Sequence, residues 1–199
     1  MLSICMGFLS TSEAEAVARL HAGAPVALPT ETVYGLAADA CHAKAVAQIF
    51  TLKRRPAHNP LIVHVTGRAM AERYVIWSAL ADQLAAAHWP GPLTLVLPKR
   101  QDCPIAPAAA AGGDTLAIRA PAHPLMRRVI TQFDGGLAAP SANRSGRISP
   151  TCAQHVLEEF SEADLLVLDG GSCEVGLEST VIDCTGDAPV VLRPGSVSV

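Results

Sequence analysis

Residues 114–143 read DTLAIRAPAHPLMRRVITQFDGGLAAPSAN, and this stretch decides the fold class. Residues 115–119 form a strand candidate, 124–133 a helix and 137–139 a second, short strand. The stretch ends in Pro140-Ser141-Ala142-Asn143, polar residues set beside proline directly after a strand. Polar side chains in that position recur along the chain, and in open α/β sheets the strand ends are where ligand crevices form.

Working outward, the same alternation continues on both sides. Towards the N-terminus, Ser12 and Glu15 make a capping box for a helix that Gly23 stops. Strands are expected at 25–28, 61–65 and 93–97. Helices are expected at 43–54, where Val46, Ile49, Phe50 and Leu52 give the period, and at 68–74 and 78–88. Residues 103–113, rich in Pro, Ala and Gly, read as a loop. Towards the C-terminus a helix over 151–160 is expected to be capped by Thr151, followed by strands at 165–168, 180–184 and 190–193. Interspersed helices and strands give an α/β class with a mixed sheet. No internal repeat or interdomain linker stands out, so the 199 residues read as one domain.

Composition narrows the function. Half of the residues are hydrophobic but only 4% are aromatic, which suits a core of small aliphatic side chains between helices and a sheet. The net charge of -3 argues against a surface that holds nucleic acid along its whole length, and leaves room for one small anionic ligand in a local basic pocket. Cys5, Cys41, Cys103, Cys152, Cys173 and Cys184 contain no C-x-x-C pair and read as reduced thiols of a cytoplasmic protein. The apolar run before Leu9 has no preceding Lys or Arg, so it makes a poor secretory leader, and no run approaches the ~18 residues of a membrane span.

Each polar candidate has a plain reading and a chemical one. Thr30, Glu31, Thr32, Ser141, Asn143 and Ser179 all flank strands, where such residues also serve as caps and turns. Lys53-Arg54-Arg55 closes a helix, either as a solvated basic turn that complements the helix dipole or as a phosphate site. Arg144 and Arg147 could extend that patch. His64, in an apolar strand, is more often a hydrogen-bonded core residue than a ligand. Arg119 either points from its strand end into solvent or holds a carboxylate in its planar fork. The chain has no phosphate loop, dinucleotide fingerprint, nucleophile elbow or metal-ligand spacing.

Taken in order, Pro29-Thr30-Glu31-Thr32-Val33-Tyr34-Gly35-Leu36, Lys53-Arg54-Arg55-Pro56, Asn59-Pro60-Leu61-Ile62-Val63-His64 and Trp89-Pro90-Gly91-Pro92-Leu93-Thr94 resemble the YrdC/TsaC-like threonylcarbamoyl-AMP synthases. So do Ala117-Ile118-Arg119, Pro140-Ser141-Ala142-Asn143, Ser149-Pro150-Thr151, Glu178-Ser179-Thr180 and Leu192-Arg193-Pro194-Gly195. The resemblance covers about residues 12–195. It implies an open, twisted mixed sheet with flanking helices around a deep basic cavity. It also implies a reaction in which L-threonine and bicarbonate give a carbamate that attacks the α-phosphate of ATP, releasing pyrophosphate. The product would feed tRNA threonylcarbamoyl-transfer enzymes, with weak or no direct tRNA binding.

Carried over by position, Thr32, His64, Arg119, Ala139 and Ser179 would hold threonine. Arg55, Asn59, Thr115, Ser141, Ser149 and Arg193 would hold ATP, with Lys53 and Asn143 beside them. Mg2+ would ride on the ATP phosphates. No side-chain nucleophile is implied, and Lys53 and Arg55 would contribute chiefly by charge and orientation. Residues 108–113 are looser than the family's usual loop before Thr115. Some members of this family carry a second, C-terminal domain, so both a single-domain form and a truncated one fit this sequence. Two other readings stand beside this one. A carbamoyl-adenylate-forming domain of hydrogenase maturation would add zinc-finger cysteine pairs, and an RNA-binding module would need a basic rim.

Overall fold

The computed structural model describes residues 7–197, so Cys5 lies outside the described residues. The elements run in chain order as β1 (Phe8–Ser10), α1 (Glu13–His21), β2 (Val26–Leu28), β3 (Gly35–Asp39), α2 (Ala43–Lys53), β4 (Ile62–His64), α3 (Arg68–Ala71) and α4 (Ala79–His88). Then come β5 (Leu93–Pro98), a 3₁₀ turn at Pro107–Ala110, β6 (Thr115–Arg119), α5 (Pro124–Phe133), β7 (Leu137–Ala138), α6 (Ala153–Glu159), β8 (Leu166–Leu168), β9 (Thr180–Asp183) and β10 (Val190–Arg193). The strands join in one sheet of order β1-β8-β2-β3-β7-β4-β6-β5-β9-β10. Parallel pairs such as β4–β6 and β5–β9 mix with antiparallel pairs such as β2–β3, β5–β6 and β9–β10.

Local chemistry explains most elements. Ser12 caps α1 by accepting from the Glu15 amide at 3.2 Å, and Gly23 follows the helix at φ +77. The reciprocal half of the expected capping box does not form. The Glu15 carboxylate instead accepts from the Ser10 hydroxyl at 2.7 Å, because β1 brings Ser10 over the helix start. In α5 the buried residues are Met126, Val129, Ile130 and Phe133, a single stripe at helical spacing that packs on α1. α3 stops at Ala71, short of the expected helix over 68–74. Cys152, not Thr151, takes the cap position of α6, with no side-chain cap bond. Two strands escaped the sequence pattern. β3 is Gly-Leu-Ala-Ala-Asp, buried on both faces and free of β-branched residues, so neither alternation nor propensity marks it. β1 has only three residues.

The centre of the sheet has two unlike faces. Val63, Leu93, Leu95, Leu97, Leu116 and Ile118 are almost fully buried in the apolar core. The alternate residues of β4, β5 and β6 are Ile62, His64, Thr94, Val96, Ala117 and Arg119, and they turn to the opposite face. Strand register sets these in two rows, with Ile62 beside Ala117 beside Val96 and His64 beside Arg119 beside Thr94.

Candidate active site

A cavity of about 300 Å³ lies over that second face. Its floor is made of small side chains, including Ala117 and Ala139, and of Gly35. A Cβ on Gly35 would come within 3.3 Å of the Ala139 Cβ. The lining brings together Thr32, His64, Arg119, Ala139 and Ser179 with Arg55, Asn59, Ser141 and Arg193.

Arg119 is buried rather than pointed into solvent, which removes the plainer of its two readings. Its Nε donates to the Gly91 carbonyl at 3.1 Å, Nη1 to Thr32 Oγ1 at 3.0 Å and Nη2 to Glu31 Oε1 at 2.5 Å. The other Glu31 oxygen accepts from the Ala122 amide at 3.0 Å. Thr30 shapes the turn that presents these groups, since its hydroxyl accepts from the amides of Thr32 and Val33 at 3.1 Å each. His64 stands next to Arg119 in register. Burial, and then the Arg119 charge, push its pKa down to about 3, so the imidazole is neutral. Its Nδ1 is buried with no hydrogen-bond partner among the described residues.

On the far wall, Ser179 Oγ shares a 2.7 Å hydrogen bond with Thr94 Oγ1. Arg193 donates from Nη2 to the Ser179 carbonyl at 2.7 Å and to its hydroxyl at 3.1 Å. Arg55 donates to the carbonyls of Asn59 at 3.2 Å and Pro60 at 2.9 Å, which folds the loop after α2 against the cavity. Burial first, and then Arg193, lower the pKa of Arg55. Burial does the same to Arg193, opposed by Glu178 and aided to a smaller extent by Arg119. Three guanidiniums therefore crowd one small volume, an arrangement that an anionic ligand relieves.

Four expected residues lie off this lining. Lys53 is 1% exposed, and its Nζ donates to the carbonyls of Ser141 and Asn143 at 2.5 Å each. Burial, and then Arg55, pull its pKa down to about 8. The solvated basic turn is thus ruled out for Lys53, which sits beneath the 141–143 loop. Asn143 and Ser149 line a neighbouring hollow with Arg147 and Glu159. Asn143 Nδ2 donates to the carbonyls of Arg144 and Arg147 at 2.9 and 2.8 Å. Ser149 Oγ donates to Glu178 Oε1 at 2.5 Å, joining this hollow to the cavity wall. Thr115 is exposed at the start of β6, opposite Pro98.

Sequence reasoning gave no role to Glu31, Thr94 or Glu178. Glu31 was visible as a strand-end polar residue, but its partner lies 88 positions away. Thr94 sits in an apolar strand and reads as filler until Ser179 meets it. Among the described residues, no group of three or more His, Cys, Asp or Glu side chains could hold a metal ion, and no helix is long and apolar enough to cross a membrane.

The Sua5/yciO/yrdC family model, described as telomere recombination, matches residues 18–195. A threonylcarbamoyl-AMP synthase of Pyrococcus abyssi is 47% identical over 182 residues, covering 89% of this chain and 52% of the relative. One from Bacillus subtilis is 44% identical over 194 residues, covering 96% of this chain and 56% of the relative. The chain thus spans about half the length of these curated relatives. The crystal structure of P. abyssi Sua5 complexed with L-threonine superposes with a TM-score of 0.87 at 43% identity, covering 97% of this chain and 58% of that one.

Proposed function

The chain belongs to the Sua5/yciO/yrdC family, and from that premise we propose that it forms threonylcarbamoyl-AMP and pyrophosphate from L-threonine, bicarbonate and ATP. The observation that carries this reading is the convergence of Arg55, Arg119 and Arg193 on one cavity beside the hydroxyls of Thr32 and Ser179. Polyphosphate suits the Arg55 and Arg193 end, where no carboxylate is ion-paired to either guanidinium among the described residues. An amino-acid carboxylate suits Arg119.

In this reading the threonine amine condenses with bicarbonate to give a carbamate, and water leaves. The resulting carbamate oxygen attacks the α-phosphate, and pyrophosphate leaves. The chain's residues orient the two substrates and stabilise charge, and neutral His64 adds no competing cation. Magnesium would be held through the ATP phosphates and would neutralise their charge, with Glu178 the carboxylate on the lining. Asn143, Ser149 and Lys53 act on the nucleotide through the 141–149 loop. The product passes to enzymes that transfer the group to tRNA, in a cytoplasmic setting. Direct tRNA binding is weak, in keeping with the net charge of -3.

The test is incubation with ATP, magnesium, bicarbonate and each amino acid in turn, scoring pyrophosphate and the adenylate by mass spectrometry. Pyrophosphate release that requires both threonine and bicarbonate is expected. Release that is indifferent to bicarbonate would sink the proposal.

A further inference from the structure

Among the described residues, Arg119 is the guanidinium of the cavity that carries a carboxylate partner. The Arg119–Glu31 pair is nearly sealed from solvent, with side-chain exposures of 4% and 8%. Arg55 and Arg193 bind only carbonyls and a hydroxyl. The cavity is therefore polarised, with matched charge at the Arg119 end and unmatched cations at the other.

A guanidinium has five N–H groups. Arg119 uses one on Nε, one on Nη1 and one on Nη2. One N–H remains on each terminal nitrogen, free to donate to a further acceptor such as a carboxylate. Glu31 is itself held at both oxygens, by Arg119 and by the Ala122 amide, so it fixes the plane of the fork. We infer that Glu31 is a positioning and selectivity residue, which orients Arg119 for an amino-acid carboxylate and, by matching its charge, keeps phosphate out of that end of the cavity. The inference rests on the proposed threonine and ATP chemistry and adds the residue that partitions the two ligands.

Glu31→Gln removes the charge and cannot satisfy both neighbours, because one amide N–H must face either Arg119 or the Ala122 amide. The buried guanidinium is then unmatched, and it recruits an anion from solution. The experiment is calorimetric titration of L-threonine into the wild type, Glu31→Gln and Glu31→Asp, each with and without saturating inorganic phosphate. Thermal melting of the same samples runs alongside.

In the wild type and in Glu31→Asp, which keeps the charge, phosphate is expected to leave threonine affinity unchanged. In Glu31→Gln, phosphate is expected to weaken threonine by about tenfold and to raise the melting temperature more than in the wild type. If Glu31→Gln loses the same threonine affinity in both buffers, Glu31 is only structural and the inference falls. It falls equally if Glu31→Asp admits phosphate as a competitor, an arm that stands even where the Gln variant does not fold. A wild type that binds no threonine overturns the underlying functional reading, while the phosphate-dependent melting still judges Glu31.

Discussion

The side-chain nitrogen of Lys53 lies 2.5 Å from the carbonyl oxygen of Ser141, and the same ammonium reaches the Asn143 carbonyl at 2.5 Å. A residue that the sequence offers as a phosphate ligand is thus a strut under the loop that bears the Ser-x-Asn motif. Lys53→Met should leave the buried Asn143 carbonyl and the part-buried Ser141 carbonyl without this donor and cost roughly 2–4 kcal/mol of stability. Urea denaturation measures it, with ATP titration as the second readout. Were Lys53 only a charge for phosphate, the variant would lose ATP affinity at unchanged stability.

Arg55→Ala is the contrast. Arg55 borders the cavity and is half-buried, bonded to two carbonyls of its own loop. Removing it should weaken ATP by about ten- to a hundredfold, with a stability loss smaller than that of Lys53→Met. Unchanged ATP affinity by calorimetry would take Arg55 out of the nucleotide site.

Arg119→Lys keeps the charge but loses the planar fork that reaches Gly91, Thr32 and Glu31 together. Threonine affinity should fall about tenfold, and further in Arg119→Ala. The Ala variant should also lose roughly 3–5 kcal/mol of stability, because Glu31 is left buried and unpaired. A double variant with Glu31→Ala should lose less than the sum of the two singles. Strict additivity in denaturation would mean that the pair is not coupled.

Selectivity for threonine over valine should be modest. Thr32 Oγ1 already bonds Thr30 and Arg119, and Ser179 Oγ already bonds Thr94 and Arg193. Valine therefore strands neither hydroxyl, and the preference should be roughly 3- to 10-fold, one neutral hydrogen bond. A preference on the order of 10⁴-fold, measured as pyrophosphate release, would mean that these hydroxyls rearrange on binding.

His64 gives a pH signature. Its pKa falls from the ordinary 6.5 to about 3, chiefly through burial, so the unfolded state binds the proton first on acidification. The contribution is present above pH 6.5 and is lost as pH falls from there towards 3. Wild-type stability should therefore drop by up to ~1.4 kcal/mol per pH unit more steeply than that of His64→Gln across this window. Parallel slopes in denaturant titrations would assign the acid sensitivity to other groups.

The helices were legible in the sequence because their cause is local. The stripe of Met126, Val129, Ile130 and Phe133 and the Ser12 cap are set by neighbours within two turns of chain. The motifs at strand ends were also legible, and the fold carries Thr32, Arg119, Ser141 and Ser179 to one cavity. What the tertiary structure alone decided is which groups face each other. Glu31 meets Arg119 across 88 positions, Thr94 meets Ser179 across 85, and Lys53 turns under the loop rather than into the cavity. β3 belongs to the same class, since its burial comes from its place between β2 and β7 and from the helices α1 and α2 packed on it rather than from its own residues. Sequence encodes the period of an element within a few residues, whereas register and burial are settled only when distant strands pair and water leaves the space between them.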